Sequence, residues 1–150
     1  MIRRIYIMKM RVLYSSSNKK IVNYAVALGE AQNDQHAIAD TIPPAYSCDR
    51  ERLVVLVIST GARVEDNVRL FISELTPARA ANVVFVFDSK DGKITPPMQQ
   101  LIDAAKAAGT NVLVDNTYFV APGSLFSSKI SMEERSGIVD WCESIKEAVK

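Results

Sequence analysis

Three hydroxyls, an amide and two ammonium groups stand consecutively at Ser15, Ser16, Ser17, Asn18, Lys19 and Lys20. They follow a short apolar run ending Val12-Leu13-Tyr14 and lead into Ile21, Val22, Ala25, Val26 and Leu28 at helical spacing. The free N–H groups and the dipole at the amino end of a helix attract an anion, and a phosphate is the natural ligand for such a loop. The same residues have a plainer use, in which Ser17 or Asn18 caps the helix while Lys19 and Lys20 are solvated in its first turn. Residue types alone leave both readings open.

Other chemistry has less to work with. A Ser–His–Asp hydrolase would have to use His36, the only histidine, and the Gly-x-Ser-x-Gly pattern of a nucleophile elbow is absent. No His, Cys or carboxylate cluster has metal-ligand spacing. Cys48 and Cys142 are too few and too far apart for a disulfide framework, so they read as reduced thiols in a cytoplasmic protein. A phosphorylated receiver domain needs acids after its first strand, an aspartate after its third and a lysine after its fifth. Those places read Tyr14-Ser15-Ser16, Ser59-Thr60 and Asp115-Asn116. Asp88 and Asp115 end apolar runs, where an acid either binds ligand hydroxyls or is simply solvated.

The elements that must position these residues follow from hydrophobic period. Short apolar runs alternate with helical spacing along the chain, as strands and helices do in an α/β fold. Strands are expected at Lys9 to Tyr14, at Ala37 to Thr41, closed by Pro43-Pro44, and at Leu53 to Ile58, which is apolar throughout and so belongs in the middle of a sheet. Two more are expected at Val83 to Phe87 and Asn111 to Asp115. A helix carries Val64, Val68, Phe71, Ile72 and Leu75 and ends before Pro77; another starts at Thr95-Pro96-Pro97, carries Met98, Leu101, Ile102 and Ala105, and stops before Gly109. Ser131 and Glu134 make a capping box for the last, which is expected to bury Ile138, Trp141, Cys142, Ile145 and Val149. Pro43 to Arg52 is too short for a crossover helix.

Right-handed crossovers then give a three-layer, doubly wound, five-stranded parallel sheet of order 2-1-3-4-5. A ligand crevice opens where the strand order reverses, outside the carboxyl ends of the first and third strands. It is bordered by the loops Ser15 to Lys20, Ser59 to Arg63, Asp88 to Lys93 and Asn116 to Ser128.

Size and composition agree with one domain over 1-150. The chain has 150 residues, 48% hydrophobic and 23% charged. That length buries enough surface to need neither disulfide nor metal. No apolar run approaches the roughly 18 residues of a membrane span. Basic and acidic residues number 18 and 17, but the first 20 residues hold six of the basic ones and no acid, so the other 130 hold 12 against 17. The basic start has no interleaved aromatics and no amphipathic helix, so neither nucleic acid nor a membrane is an expected partner. Met1 to Met8 reads as an extension ahead of the first strand, flexible or the product of an upstream start.

The order of elements, the loop Tyr14-Ser15-Ser16-Ser17-Asn18-Lys19-Lys20, Ile58-Ser59-Thr60-Gly61 and the final Ile138-Val139-Asp140-Trp141 together resemble the short-chain flavodoxin family, from about Lys9 to Val149. The resemblance implies a flavodoxin-like fold, FMN as cofactor and electron transfer to a redox partner protein, by a monomer or weak homodimer. It places the FMN phosphate on Ser15, Ser16, Ser17, Asn18, Lys19 and Lys20, and the ring beside Thr60, Gly61, Ala62, Ser89, Lys90 and Asp91. The sequence departs from the family pattern in two ways. The loop lacks the Thr-Gly of Ser/Thr-x-Thr-Gly-x-Thr, and neither Ser59 to Arg63 nor Asp88 to Lys93 offers an aromatic to stack on the ring. Tyr46, Tyr118, Phe119 and Phe126 are the nearby aromatic candidates. The alternative is a cofactor-free binding or assembly module, or a binder of another small phosphorylated ligand. An FMN-dependent reductase is less expected than a carrier, because the third and fourth loops are short for a substrate pocket.

Overall fold

The computed structural model describes residues 8–15, 18–32, 38–61, 63–123 and 128–150. The elements in order are β1 (Met10–Tyr14), α1 (Lys19–Ala31), β2 (Ala39–Thr41), β3 (Leu53–Ile58), α2 (Asp66–Ser73), β4 (Asn82–Asp88), α3 (Pro96–Ala108), β5 (Asn111–Val112), β6 (Tyr118–Val120) and α4 (Met132–Ala148). Every strand pairing is parallel, in the order β2-β1-β3-β4-β5, with β6 also on β4.

All six residues of β3 are buried because both faces of that strand are covered. Leu53, Val55 and Val57 pack with Ile21, Tyr24 and Leu28 of α1 and Ile138, Cys142 and Ile145 of α4. Val54, Leu56 and Ile58 turn the other way, onto Val68 and Ile72 of α2 and Leu101, Ile102 and Ala105 of α3. The two-residue period of a strand thus divides one apolar run between two cores, which is the three-layer arrangement expected from the sequence.

Helix ends follow the capping chemistry. Asn18 caps α1, Thr95 caps α3 with proline at the first helical turn, and Ser131 and Glu134 form the reciprocal box on α4. Gly109 ends α3 at φ +99, a conformation an L side chain rarely adopts. No helix lies between β2 and β3, and the Ile42–Pro43 peptide there is cis.

Several expectations need correction. The fifth strand does not run to Asp115. β5 stops at Val112 and a single tight turn, Val114–Asn116, follows before the chain rejoins β4 as β6, inside what read as one long loop. Local hydrogen bonds compete with the ladder there: Asn116 N–H donates to Leu113 O at 3.1 Å and Thr117 Oγ1 to Val114 O at 2.6 Å. Asp115 therefore sits exposed in a turn rather than ending a strand. On α1, Val26 is 39% exposed and Tyr24 takes the inward position instead. Trp141 is half-buried, because its indole N–H needs a partner and finds Asn116 O at 2.9 Å while the ring covers Tyr118, centroids 5.1 Å apart. Met8, assigned to the extension, is 1% exposed and belongs to the core; Met1 to Ile7 lie outside the described residues, as do Ala37 of the expected second strand and His36.

Both cysteines are free and buried. Burial pushes the Cys142 thiol up to about 12 and also raises that of Cys48.

Candidate functional site

The carboxyl ends of β1, β3 and β4 meet above the sheet, and a network of polar side chains joins them. Ser15 is buried, its N–H donates to Val57 O at 3.2 Å and its Oγ accepts from Ser59 N–H at 3.1 Å, so this hydroxyl ties β1 to the end of β3. Ser59 Oγ donates to Asp88 Oδ2 at 2.7 Å, and Asn18 Nδ2 approaches the same oxygen at 3.4 Å. Asp88 is therefore a half-buried bridge between the third loop and α1, not a solvated strand end.

The amino end of α1 is already partnered. Asn18 Oδ1 accepts from Lys20 N–H at 2.9 Å and Ile21 N–H at 3.4 Å. Lys20 Nζ lies 3.4 Å from Glu134 Oε2, and its side chain is only 12% exposed. Glu134 also accepts from Tyr24 OH at 2.6 Å and from Ser131 N–H at 3.0 Å. Tyr24, then Ser131, with Lys20 adding its charge, hold the carboxyl down at about 2, while burial and that same carboxylate raise the Tyr24 phenol. Gly123, in the segment after β6, lies against this end: a Cβ there would stand 2.9 Å from Lys20 Cβ and 3.4 Å from Asn18 Oδ1. Lys19 is exposed. Ser16 and Ser17, the middle of the expected phosphate loop, lie outside the described residues, as does Ala62.

The open space is displaced toward β4. A cleft of about 400 Å³ is bordered by Thr60 and Gly61 after β3, Asp88 to Asp91 after β4, Thr95 and Met98 at the start of α3, and Pro122 across from them. Five expected ring contacts, Thr60, Gly61, Ser89, Lys90 and Asp91, are thus brought together. Its volume lies within the range of small-molecule sites, roughly 300–1,000 Å³. The β4 loop is internally braced: Ser89 Oγ donates to Asp91 Oδ1 at 3.1 Å and accepts from Gly92 N–H at 3.1 Å, while Ser89 N–H donates to Val120 O at 2.9 Å. Gly61 and Gly92 hold φ +55 and +68, and a Cβ on either would meet nothing within 4 Å. Of the two, Gly61 borders the cleft, where the backbone is open to close approach.

No aromatic side chain borders the cleft among the described residues. Tyr46 is 81% exposed, Tyr118 lies under Trp141, Phe119 packs in the α2–α3 layer, and Phe126 is outside the described residues. A second depression of about 410 Å³ lies between α1 and the start of β2, against Val26, Gly29, Glu30, Ile38 and Ala39, away from the carboxyl ends of the strands. Among the described residues no group of His, Cys, Asp and Glu can hold a metal, and no helix is long and apolar enough to cross a membrane.

Sequence reasoning missed Tyr24, Gly123 and the second use of Glu134. The Ser131–Glu134 box was visible, but nothing local announces that Glu134 also meets Lys20 and Tyr24, the latter 110 residues away. At the opposite end of the sheet, Glu51 is 4% exposed with Lys9 Nζ at 3.9 Å and Oε2 unpartnered, and burial raises its carboxyl.

A parallel sheet of this order, covered by helices on both faces, is a doubly wound α/β fold. Solved structures identify the fold as that of the flavodoxins. A short-chain flavodoxin associated with a non-canonical PDU bacterial microcompartment matches with a TM-score of 0.63 at 13% identity, over 95% of this chain and 100% of that one. A flavodoxin mutant from Pseudomonas aeruginosa matches at 0.60 and 15%, over 95% and 99%. A Streptococcus pneumoniae flavodoxin matches at 0.58 and 10%, over 93% and 98%. No family model and no curated protein matches the chain.

Proposed function

We propose that the chain is a flavodoxin-type electron carrier that takes a flavin, FMN in the family pattern, in the cleft at the carboxyl ends of β3 and β4, and serves a redox partner protein. The observation that carries this reading is the coincidence of that cleft with the two loops that the sequence resemblance assigned to the ring. The cleft suits a flat heterocycle: Gly61, without a Cβ, lines its mouth, Met98 and Pro122 supply apolar surface, and the braced Ser89–Asp91 turn presents polar atoms at its edge. A bound flavin supplies the redox step; the chain holds and orients it and limits water around it. Lys90 and Asp91, both exposed, set the charge at the rim where a partner would approach.

Titrating the purified protein with FMN and following fluorescence quenching tests this directly. A dissociation constant below about 100 μM, or about −5.5 kcal/mol, is expected, and weaker binding overturns the reading. The second reading is a cofactor-free binding or assembly module. Two observations favour it: the amino end of α1 is self-capped, and no aromatic ring borders the cleft among the described residues.

A further inference from the structure

The end of the sheet opposite the cleft carries positive charge that the flavin reading does not use. Lys9, Arg11, Arg50, Arg52 and Arg79 gather there around Asp49 and Glu51, in a chain whose basic and acidic totals are 18 and 17. The helices that end on this side add Glu74 and Lys106, which cancel, and the Glu147–Lys150 pair. Outside the described residues, 1–7 leads into this end with Arg3, Arg4 and no acid, and 33–37 adds one acid, Asp34, so by sequence neither segment reverses the excess. Glu51 is a weak counter-charge. It is buried, Lys9 Nζ lies no nearer than 3.9 Å, its Oε2 has no partner, and burial raises its carboxyl. Arg11, Arg50, Arg52 and Arg79 form no ion pair among the described residues.

Main-chain bonds hold these cations on a fixed base. Arg50 N–H donates to Ala78 O and Glu51 N–H to Arg79 O, both at 2.9 Å, and Arg52 N–H donates to Lys9 O at 2.7 Å. Glu51 is buried while Arg50 and Arg52 are exposed on either side of it, bordering a hollow of about 270 Å³ with Pro77, Ala78 and Ala81. Arg50 keeps its place at φ +51, where a glycine would sit with less strain. The planar fork of a guanidinium matches a carboxylate, and side chains two apart in an extended segment share one side. Two arginines flanking a buried residue therefore match acids at every second position. Among the described residues no aromatic ring lines the hollow, so a nucleic-acid base has nothing to stack on.

We infer that this end of the molecule is a docking surface for an extended acidic segment of a partner protein, whose alternate carboxylates pair with Arg50 and Arg52 while Lys9, Arg11 and Arg79 supply the surrounding field. A partner held here leaves the cleft uncovered, and the inference does not depend on the flavin reading.

The test is fluorescence anisotropy of the full chain with a labelled peptide of alternating glutamate and serine, beside the same peptide with glutamine for glutamate. The glutamate peptide is expected to bind at least about tenfold tighter at about 20 mM salt, and to weaken by about tenfold or more at about 500 mM. Arg50→Gly with Arg52→Ser should weaken it by about tenfold, the glycine suiting the positive φ. Arg69→Ser with Lys93→Ser, an equal loss of charge elsewhere, should change it by less than about twofold. Equal binding of the two peptides, or equal weakening by the two pairs of substitutions, overturns the inference. So does an oligo-thymidine strand that binds more than about tenfold tighter than the glutamate peptide, which makes the surface a nucleic-acid site. Self-association at low salt in sedimentation velocity, abolished by the arginine pair and without peptide binding, overturns it in favour of a second copy of this chain. The peptide comparison and the salt series use the unaltered protein, so they decide the matter even where a variant folds poorly.

Discussion

The amino end of α1 and the cleft beside β4 stand at the same edge of the sheet, yet they are built in opposite ways. At α1 polar atoms find partners within the chain: Asn18 caps the helix, Glu134 draws in Lys20, Tyr24 and Ser131, and Gly123 closes over them. At the β4 cleft the loop braces itself through Ser89 and Asp91, and the space in front of it stays open. The lesson is that residue type does not make an anion site. A helix terminus attracts an anion through N–H groups that lack partners, and here Asn18 already takes two of them.

The comparison can be broken at its base. Ile21, 1% exposed in the first turn of α1, anchors the closed end to the core. Ile21→Ala should lower unfolding stability by about 2–5 kcal/mol, read from the urea midpoint, whereas Lys90→Ala at the open cleft should stay within about 0.5 kcal/mol. A small loss at Ile21 would mean that the closed end is not packed as described.

A finer test removes the cap. Asn18→Ala should cost about 1 kcal/mol, and Asn18→Gly only a few tenths, because glycine tolerates the cap conformation and lets water reach the freed N–H groups. Equal losses would place the role of Asn18 in its contact with Asp88 rather than in the cap.

The last test is acid titration. Glu134 has a folded-state value of about 2 against the ordinary 4.5, so its contribution is fully present above 4.5 and is lost as the pH falls toward 2. Tyr24 and Lys20 of α1, Tyr118 of β6 and the Ser131 backbone are the groups that face it. Glu134→Gln should therefore flatten the acid limb of a stability-against-pH curve. Glu51 acts with the opposite sign: burial raises its carboxyl, so its contribution is present at low pH and lost as the pH rises above its ordinary 4.5. An unchanged acid limb in Glu134→Gln would mean that the Tyr24–Glu134 contact contributes nothing to folding.

Much of the fold was legible because its signals are local and redundant. Leu53 to Ile58 is apolar at every position, as a strand covered on both faces is. Thr95-Pro96-Pro97 and Ser131 with Glu134 mark helix starts by chemistry that acts within four residues. Asn111 to Asp115 misled because Val112, Leu113 and Val114 suit a strand; the turn after Val112 depends on Thr117 and on where β4 offers partners. The site was legible in its loops and not in its state. Ser15 to Lys20 carries the residues of an anion site; Asn18 takes the Lys20 and Ile21 N–H groups, the capping use the sequence left open, but Glu134, over 100 positions away, engages the Lys20 ammonium. Distant partners leave no mark on local spacing.

The interrupted outer rim of the sheet has a consequence for crowding. Beyond β4 the chain lays down two short segments, of two and three residues, with a turn between them, and at the other rim β2 is three residues long. A strand left unpaired at a sheet's border is a template on which another chain can add itself. Among the described residues neither border presents a straight run of backbone long enough to serve as one, and the bend at Val114–Asn116 gives its Asn116 carbonyl to an indole. The molecule thus carries a highly apolar sheet whose margins, among the described residues, discourage runaway lateral growth.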